Sequence, residues 1–394
     1  MRSAYIFFAP ACPAYRQAGS RQLGRSKKRN MRASYQLPMV LKKLPKILLV
    51  TLEFPPQIGG VSRYYDGLIK NWKEEIKVMR ANLKWPLWPH WLPLIWRVGK
   101  MVKKEKIAML WVGQALPIGY IALWIKWRKK IPYVVFTHGM DILVPQTSRW
   151  KKYWLTKILS NTELVVANSQ FTRGELLKLG VEKGRIVVVY PCPTPVTLIG
   201  KEMADISSAN TVEKIILSVC RLVKRKGLDK VIEVMPRLLK RAPDLKYVII
   251  GNGPEKVALQ TQITESGLSG SVNILANVSD EGLQEWYNKC TVFVLPCRQI
   301  GADVEGLGMV FLEASLAGKP IVVGNSGGAP ETVHHGYSGF VVDAEEPEEL
   351  YQSLLKILTD EPFAKRLGVY GRDWVGRKFQ WEREVEKLKN VLIK

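Results

Sequence analysis

Short apolar runs alternate along this chain with longer stretches in which apolar residues recur at helical spacing. The runs in the first half fall at 46–51, 107–112, 133–137, 164–167 and 185–190. The runs in the second half fall at 214–218, 247–250, 272–275, 292–295, 321–323 and 340–342. The stretches between them include predicted helices at 60–72, 171–179, 309–316 and 381–393. This alternation predicts an α/β protein whose parallel sheets are covered by helices on both faces.

A proline-rich run at 191–195 and a polar stretch at 202–211 interrupt the alternation. We therefore predict two Rossmann-like, doubly wound domains, at 46–198 and 199–375, that face a central cleft, followed by a terminal helical segment at 376–394. In open sheets of this kind, ligands bind beyond the carboxyl ends of the strands. The functional residues are expected in the loops that follow the apolar runs.

The net charge of +24 is extreme for a chain of 394 residues. It indicates an acidic partner, which could be a nucleic acid, an anionic membrane surface or a phosphorylated substrate. No apolar run approaches the ~18–20 residues that span a bilayer. The five cysteines show no C-x-x-C spacing, which argues against zinc and disulfide frameworks and favours a reducing cytoplasm.

Residues 1–45 are rich in Arg and Lys and contain no carboxylate. A short apolar run at 6–8 is interrupted by Pro10 and Pro13, too early for a signal peptide. A basic, disordered tail is the preferred interpretation. Met31 or Met39 is an alternative start of the protein.

The segment 305–313 carries two carboxylates, Glu305 and Glu313, eight positions apart. Gly306 and Gly308 predict a tight turn before a helix that begins at Met309. The free N–H groups at such a helix start attract anions. Eight helical residues would span about 12 Å, whereas the carboxyl groups of a retaining glycosidase lie about 5.5 Å apart. The two acids are therefore expected to hold different parts of one long ligand.

Candidate phosphate-binding residues follow the first strand of each predicted domain, glycines in the first domain and cations in the second. Arg221 and Lys226 come after the run at 214–218, where two positive charges would stabilise a diphosphate leaving group. Gly59 and Gly60 come after the run at 46–51, and there the backbone can approach a phosphate closely. A solvated basic loop and a plain strand-to-helix turn are the alternative interpretations.

Other strand ends carry weaker signals. His138 follows the run at 133–137, although a lone histidine is more often structural than catalytic. The turn at 251–254 needs no explanation beyond its Gly and Pro content. Ser169 could be a helix N-cap, and so could Ser279 or Asp280.

Taken together, these motifs resemble the retaining GT-B glycosyltransferases of family 4. The resemblance runs from about Lys46 to the C-terminus. It is carried by E-x7-E at 305–313, S-x-x-R-x-x-x-x-K-G at 218–227, the glycine-rich loop at 51–60, H-G-x-D at 138–141, G-x-G-P at 251–254 and G-G-x-P-E at 327–331. The string at 303–314 is similar to that of the phosphatidylinositol mannoside mannosyltransferases. Where the family often has P-N-G-V-D, this chain has Y-P-C-P-T-P at 190–195.

The resemblance implies a role for each motif. Arg221 and Lys226 would hold the pyrophosphate, Glu313 the ribose hydroxyls and Glu305 the sugar hydroxyls. His138 would contact the sugar, with its carbonyl group facing the anomeric centre. The glycine-containing element at 327–331 would support the donor site, and the terminal helix would pack on the N-terminal domain. The remaining implied donor-binding residues are Gly59, Gly60, Gly253, Val278, Gly306, Leu307, Gly308, Met309 and Val310.

The resemblance further implies a hexosyltransferase that uses a nucleotide sugar, with GDP-mannose expected, and a lipid-linked or glycan acceptor. No metal and no resident cofactor are expected, and the leaving phosphate would take the proton of the acceptor in a front-face attack. The alternatives are a UDP-sugar-dependent enzyme of cell-surface polysaccharide synthesis and a nucleotide-sugar epimerase. A basic membrane- or nucleic-acid-binding protein is a non-enzymatic alternative, but no module that reads nucleic acid is found.

Tryptophan and basic residues cluster in two segments of the first half. Trp85, Trp88, Trp91 and Trp96 precede a lysine-rich stretch, and Trp124 and Trp127 lie within another. Such clusters suit an anionic membrane interface. We therefore expect a cytoplasmic protein bound peripherally to the inner face of the cell membrane. A core helix with a basic, solvated face is the alternative.

Overall fold

The computed structural model of this chain describes residues 44–57, 59–83, 89–193 and 213–393. The described residues form two six-stranded sheets in which all paired strands run parallel. The strands of the first sheet are β1 (Ile47–Thr51), β2 (Ile76–Arg80), β3 (Met109–Val112), β4 (Tyr133–Thr137), β5 (Leu164–Ala167) and β6 (Ile186–Val188). Those of the second are β7 (Ile215–Val219), β8 (Lys246–Ile250), β9 (Val272–Leu275), β10 (Val292–Leu295), β11 (Ile321–Gly324) and β12 (Gly339–Val342).

Helices cover both faces of each sheet. Those of the N-terminal domain are α1 (Gly60–Lys70), α2 (Leu92–Glu105), α3 (Ile118–Lys129), α4 (Met140–Leu143), α5 (Arg149–Asn161) and α6 (Gln170–Lys178). The later ones are α7 (Leu228–Leu239), α8 (Lys256–Glu265), α9 (Asp280–Lys289), α10 (Met309–Leu316), α11 (Pro347–Thr359), α12 (Glu361–Lys378) and α13 (Trp381–Ile393). The predicted α/β fold with two doubly wound domains is confirmed. In the described part of the chain, no helix is both long and apolar enough to cross a membrane.

The strand orders place a crevice in each domain. The first sheet has the order β2-β1-β3-β4-β5-β6, and the second β12-β11-β10-β7-β8-β9. In the first sheet, β2 and β3 lie on opposite sides of β1, so the strand order reverses there. In the second sheet, β8 and β10 lie on opposite sides of β7, and the order reverses between β7 and β10. Such reversal points open a crevice at the carboxyl ends of the strands. The loops after β1, β3, β7 and β10 are thereby positioned to form a site.

The sequence did not predict β2. β2 lies at an edge of the sheet, and of its five residues only Met79 is buried. Lys77 and Arg80 interrupt its apolar pattern, so the segment does not read as a buried strand. By contrast, β4, β5, β9, β10, α10 and α13 have the predicted bounds.

The final helix, α13, packs against α1 of the N-terminal domain. The Trp381 indole lies against Gly67, and the Lys389 ammonium pairs with the Glu74 carboxylate. One face of the first sheet shares its apolar core with α13 and with residues of the second domain that include Leu307 and Leu312. The two domains therefore share buried apolar surface as well as polar contacts.

The fit between α1 and α13 can be tested at Gly67. A Cβ atom there would lie 2.5 Å from the Trp381 indole, so Gly67→Ala should lower the free energy of unfolding by about 1–3 kcal/mol in urea titrations. Gly174→Ala on α6 is the matched control, since its Cβ would meet nothing within 4 Å. The control should raise stability by about 0.5–1 kcal/mol. The same change in both variants would contradict this packing.

Candidate active site

A buried carboxylate between two cations lies at the reversal point of the second sheet. Glu305, in the loop after β10, accepts a hydrogen bond of 2.5 Å from the Lys226 ammonium and also pairs with the Arg225 guanidinium. Lys226 is 6% exposed and Glu305 is 8% exposed. Arg225 also contacts Asp303 through its Nε atom at 2.8 Å. The structure thus brings Glu305 and Lys226 into direct contact.

The backbone around Lys226 explains this placement. Lys226 ends a short 3-10 turn, and Gly227 adopts a φ of +67° before α7 begins. A Cβ atom at Gly227 would collide with the carbonyl oxygen of Pro296. Only glycine allows both this φ and this approach of the loops after β7 and β10. Those two loops supply the cations and the carboxylate.

The charges keep Glu305 ionised. Burial alone would raise the pKa of this carboxyl group, but Lys226 and Arg225 outweigh burial and lower the pKa to about 2. Burial lowers the pKa of Lys226, but the negative charge of Glu305 outweighs burial and raises that pKa above its usual value. At neutral pH, Glu305 can accept hydrogen bonds from hydroxyl groups but cannot donate a proton.

Arg221 lies beside the glycine turn at 251–254. The Leu222 N–H group donates to the Asn252 carbonyl at 2.9 Å, and the Glu255 N–H group donates to the Leu222 carbonyl at 3.1 Å. A Cβ atom at Gly253 would collide with the Leu222 backbone. The turn therefore supports the loop that carries Arg221, whose side chain is exposed.

The second carboxylate, Glu313, is held from both domains. It lies on α10, where it accepts a hydrogen bond of 3.0 Å from the Tyr287 hydroxyl group. It also accepts one of 2.9 Å from Arg63 on α1, which reaches Asp280 at 3.5 Å as well. Sequence reasoning missed Arg63. Its available signal was its position in the first turn of the helix that follows the glycine-rich loop.

The start of α10 has the predicted turn. Gly308 caps the helix with a φ of +90°, and Met309 and Val310 are half-buried in its first turn. The side chain of Leu307 does not face the cleft, however, because it is buried in the apolar core shared with the N-terminal domain. Leu307 can reach a donor only through its backbone.

His138 is enclosed by aromatic rings. The centroid of its ring lies 5.3 Å from that of Tyr64 and 5.6 Å from that of Tyr65, both edge to face. Its Nε2 atom lies 2.9 Å from the Tyr65 hydroxyl oxygen, and that hydroxyl group donates to the Gly113 carbonyl at 2.5 Å. Burial lowers the pKa of His138 to about 4, so the ring is neutral at pH 7.

The His138 backbone meets the loop of the other domain. Its N–H group donates to the Asp141 carboxylate at 2.7 Å, and burial raises the pKa of that carboxyl group to about 6. A Cβ atom at Gly306 would collide with the His138 carbonyl oxygen. Gly306 therefore allows the loops of His138 and Glu305 to touch across the cleft.

Glu331, in the G-G-x-P-E element, forms a further link between the domains. Its two carboxylate oxygens each accept a hydrogen bond of 2.8 Å, from the N–H groups of Gln170 and Phe171 at the start of α6. The Tyr190 hydroxyl group adds a hydrogen bond of 2.9 Å. A carboxylate at a helix N-terminus is favoured by the helix dipole, so this contact stabilises the arrangement of the two domains.

The remaining predicted positions are more peripheral. Gly59 caps α1, and Gly60 opens that helix without a neighbour within 4 Å of a Cβ atom. Val278 is half-buried against the core of the second domain. Ser169 is the N-cap of α6, and Ser279 is the N-cap of α9.

Residues 1–43, Trp85, Trp88 and the linker at 202–211 lie outside the described residues. Among the residues described, no group of three His, Cys, Asp or Glu side chains could hold a metal ion.

The ion pairs of Glu305 predict a specific pH dependence of stability. Glu305→Gln should lower the free energy of unfolding at pH 7 by about 3–5 kcal/mol, because it leaves buried cations without their counter-charge. Since the folded pKa lies below the unfolded value of 4.5, this stabilisation is complete above pH 4.5 and is lost as the pH falls toward 2. Urea titrations from pH 7 to pH 3 should show the difference in stability between the wild type and the variant shrink below pH 4.5. The exposed Glu265→Gln should change stability by less than about 0.5 kcal/mol. A pH-independent difference between wild type and Glu305→Gln would refute the ion pairing.

Family descriptions match both halves of the chain. The description "Glycosyltransferase Family 4" matches residues 61–192, and "Glycosyl transferases group 1" matches residues 201–374. The matches include His138 in the first domain and Arg221, Lys226, Glu305 and Glu313 in the second.

Similar proteins span nearly the whole chain. The GDP-mannose-dependent alpha-(1-6)-phosphatidylinositol monomannoside mannosyltransferase of Mycobacterium tuberculosis is 28% identical, over 89% of this chain and 98% of its own. The protein of the same name from Mycolicibacterium smegmatis is 29% identical, over 88% and 98%. The crystal structure of Anabaena HepE with UDP and glucose has a TM-score of 0.73 at 20% identity, over 89% of this chain and 99% of that one. The chain belongs to glycosyltransferase family 4, and it is a hexosyltransferase of the GT-B fold.

Proposed function

We propose that this protein transfers mannose from GDP-mannose to a phosphatidylinositol mannoside or a related lipid-linked glycan, with retention of configuration. The observation that carries the proposal is the similarity to two GDP-mannose-dependent mannosyltransferases over 98% of their length. The charge cluster at the reversal point of the second sheet supports it, because that cluster has the components that a nucleotide diphosphate sugar requires.

The diphosphate would bind beside Lys226 and Arg221. The Lys226 ammonium has three N–H donors and gives one to Glu305, so it can still donate to a phosphate oxygen. Arg221 is exposed at the same loop and can present its guanidinium fork. These cations would stabilise the charge that develops as the bond from sugar to phosphate breaks. In a front-face attack, the leaving phosphate would then take the proton of the acceptor hydroxyl group.

The sugar would bind between Glu305 and His138. Because Glu305 remains a carboxylate, it accepts hydrogen bonds from sugar hydroxyl groups and fixes the ring. His138 is neutral at pH 7 and is not an acid in this reaction. Its carbonyl group, which lies against Gly306, would face a positive charge at the anomeric carbon.

Ribose binding would require an exchange at Glu313. This carboxylate now binds Arg63 and Tyr287, and ribose hydroxyl groups would replace the Arg63 guanidinium. Since Arg63 belongs to α1, the exchange would couple donor binding to the relative position of the two domains. The released guanidinium would remain in the cleft as a further cation for the diphosphate.

The acceptor would be presented by an anionic membrane surface. The exposed Trp96 and Trp127 lie on α2 and α3, which end in basic turns. Indole rings and lysine stems suit the headgroup region of a bilayer, and cations bind its anionic lipids. We propose peripheral binding at the cytoplasmic face of the cell membrane, where nucleotide sugars are available.

The donor can be identified by a ligand panel in thermal-shift measurements. GDP-mannose and GDP should raise the melting temperature, because a ligand at 100 times its Kd adds about 2.7 kcal/mol. UDP, UDP-glucose and UDP-GlcNAc should not. Glu313→Ala should abolish the stabilisation, whereas the exposed Glu265→Ala should retain it. Stabilisation by the UDP ligands alone would replace mannose transfer with a UDP-sugar reaction, and no stabilisation by any nucleotide would overturn the proposal.

Transfer itself can be measured with labelled GDP-mannose and phosphatidylinositol monomannoside in phosphatidylinositol vesicles. Arg221→Ala should lower kcat by about 10²–10³-fold, the range found when one donor to a transition-state anion is removed. Because Arg221 is exposed, the melting temperature should stay nearly constant. The matched control is Arg241→Ala, an exposed arginine after α7, which should retain wild-type activity. Wild-type activity in Arg221→Ala would show that this cation does not contact the diphosphate.

A further inference from the structure

An apolar cavity of about 690 Å³ lies in the N-terminal domain, outside the donor site. It is formed by α2, α3, α5 and the segment that follows α4. Its lining consists of aromatic and aliphatic side chains: Trp91, Ile95, Leu116, Pro117, Tyr120, Leu123, Trp124, Trp127, Val144, Pro145, Trp150, Lys151 and Trp154. Of these described lining residues, Lys151 alone carries a formal charge. The volume is typical of a site for a small ligand.

Aromatic rings form the wall of this apolar cavity. Trp91 and Tyr120 stack with their centroids 5.0 Å apart and their planes 20° from parallel. Trp154 meets Tyr120 edge to face at 5.7 Å, and Trp150 meets Trp154 at 6.0 Å. The wall offers apolar faces and few hydrogen-bonding groups. An extended peptide would leave its backbone polar groups unsatisfied there, whereas a hydrocarbon chain would not.

The surroundings of the cavity are strongly basic. Residues 89–161, which contain all its described lining, carry thirteen Lys and Arg residues and two acids. The Lys100 ammonium lies 5.4 Å from the centre of the Trp96 ring, and Trp127 is 68% exposed at the rim. An apolar cavity within a cationic, Trp-rich surface is complementary to a molecule with an apolar chain and an anionic head.

The cavity adjoins the sugar site through two short connections. Leu116 follows Ala115, whose N–H group faces the Asp141 carboxylate at 3.5 Å. Asp141 holds the His138 N–H group, and Val144 lies three residues beyond Asp141. The lining therefore begins in the loops after β3 and β4 that also form the cleft.

We infer that this cavity binds one acyl chain of an anionic phospholipid, with the lipid phosphate on the surrounding lysines. The inference deepens the proposed function, on which it rests for the use of the bound lipid as acceptor. Chain binding itself depends only on the cavity. Adsorption through the basic surface would bring the protein to the bilayer. The cavity would then hold one lipid that is lifted partly out of the bilayer.

The test is calorimetric binding of lysophosphatidylinositols with six, eight and ten chain carbons, each below its micelle concentration. A buried methylene contributes about 0.8 kcal/mol, which is a factor of about four in affinity. The wild type should therefore bind the ten-carbon lipid at least tenfold more tightly than the six-carbon lipid. Glycerophosphoinositol, which has the headgroup and no chain, should bind weakest.

Matched variants separate the cavity from the general surface. Val144→Asp places a charge in the lining at a residue that is already 42% exposed, and it should remove the dependence on chain length. The control Val257→Asp introduces the same charge on α8, where Val257 is 77% exposed, and should retain it. Leu123→Asp is a second lining variant, and urea titration checks that each variant folds. Trp96→Ala, on α2 but outside the lining, should weaken vesicle binding and leave the chain-length series unchanged.

Equal affinity across the wild-type series, or equal loss in Val144→Asp and Val257→Asp, would overturn the inference and leave surface adsorption only. Thermal shift with GDP-mannose on the same proteins keeps the two proposals separate. If the nucleotide sugar stabilises the protein but lipid affinity does not depend on chain length, acyl-chain binding in the cavity is refuted and mannose transfer is not. If lipid affinity depends on chain length but no nucleotide binds, acyl-chain binding is supported and mannose transfer is refuted.

Discussion

The structure of the candidate site depends on the burial of one carboxylate, Glu305, between Lys226 and Arg225. An isolated charge in this position would be strongly unfavourable. Its two cations bring the loop after β10 to the loop after β7 and fix both at the point where the strand order reverses. Gly227 permits that approach, and Asp303 adds a second acid on the outer side of Arg225. The ion pairs of the chain itself thus organise the site.

The contacts between the domains converge on the same elements. Gly306 touches the His138 carbonyl, Arg63 reaches across to Glu313, and Glu331 caps α6. Of the three, the contact of Arg63 alone would compete with the proposed binding of ribose. The apolar contact of Leu307 with the first sheet and the cap at Glu331 do not involve proposed donor-binding side chains. They can persist while Arg63 is exchanged, so donor binding can change the cleft without separating the domains.

The sequence predicted most of the fold because buried parallel strands have apolar runs. It did not predict β2, because Lys77 and Arg80 interrupt the apolar pattern of that strand. Motif spacing located the loops of Glu305 and Lys226 but could not show that these side chains bind each other. Their contact depends on which strands are neighbours in the sheet. Arg63 was missed for the same reason, since its partner Glu313 lies 250 residues away in the other domain. Leu307 was assigned to the donor by its place in a motif, although its apolar side chain is buried.

The tryptophan clusters show where sequence reasoning stops. Their composition could not distinguish a membrane interface from a core helix with a basic face, because both place indoles beside lysines. In the structure Trp96 is 71% exposed, whereas Trp91 and Tyr120 stack in the wall of a cavity. The same run of aromatic residues therefore has two environments, one facing solvent and one lining an apolar space. An amphiphile needs both, because its headgroup stays at a charged surface while its chain leaves water.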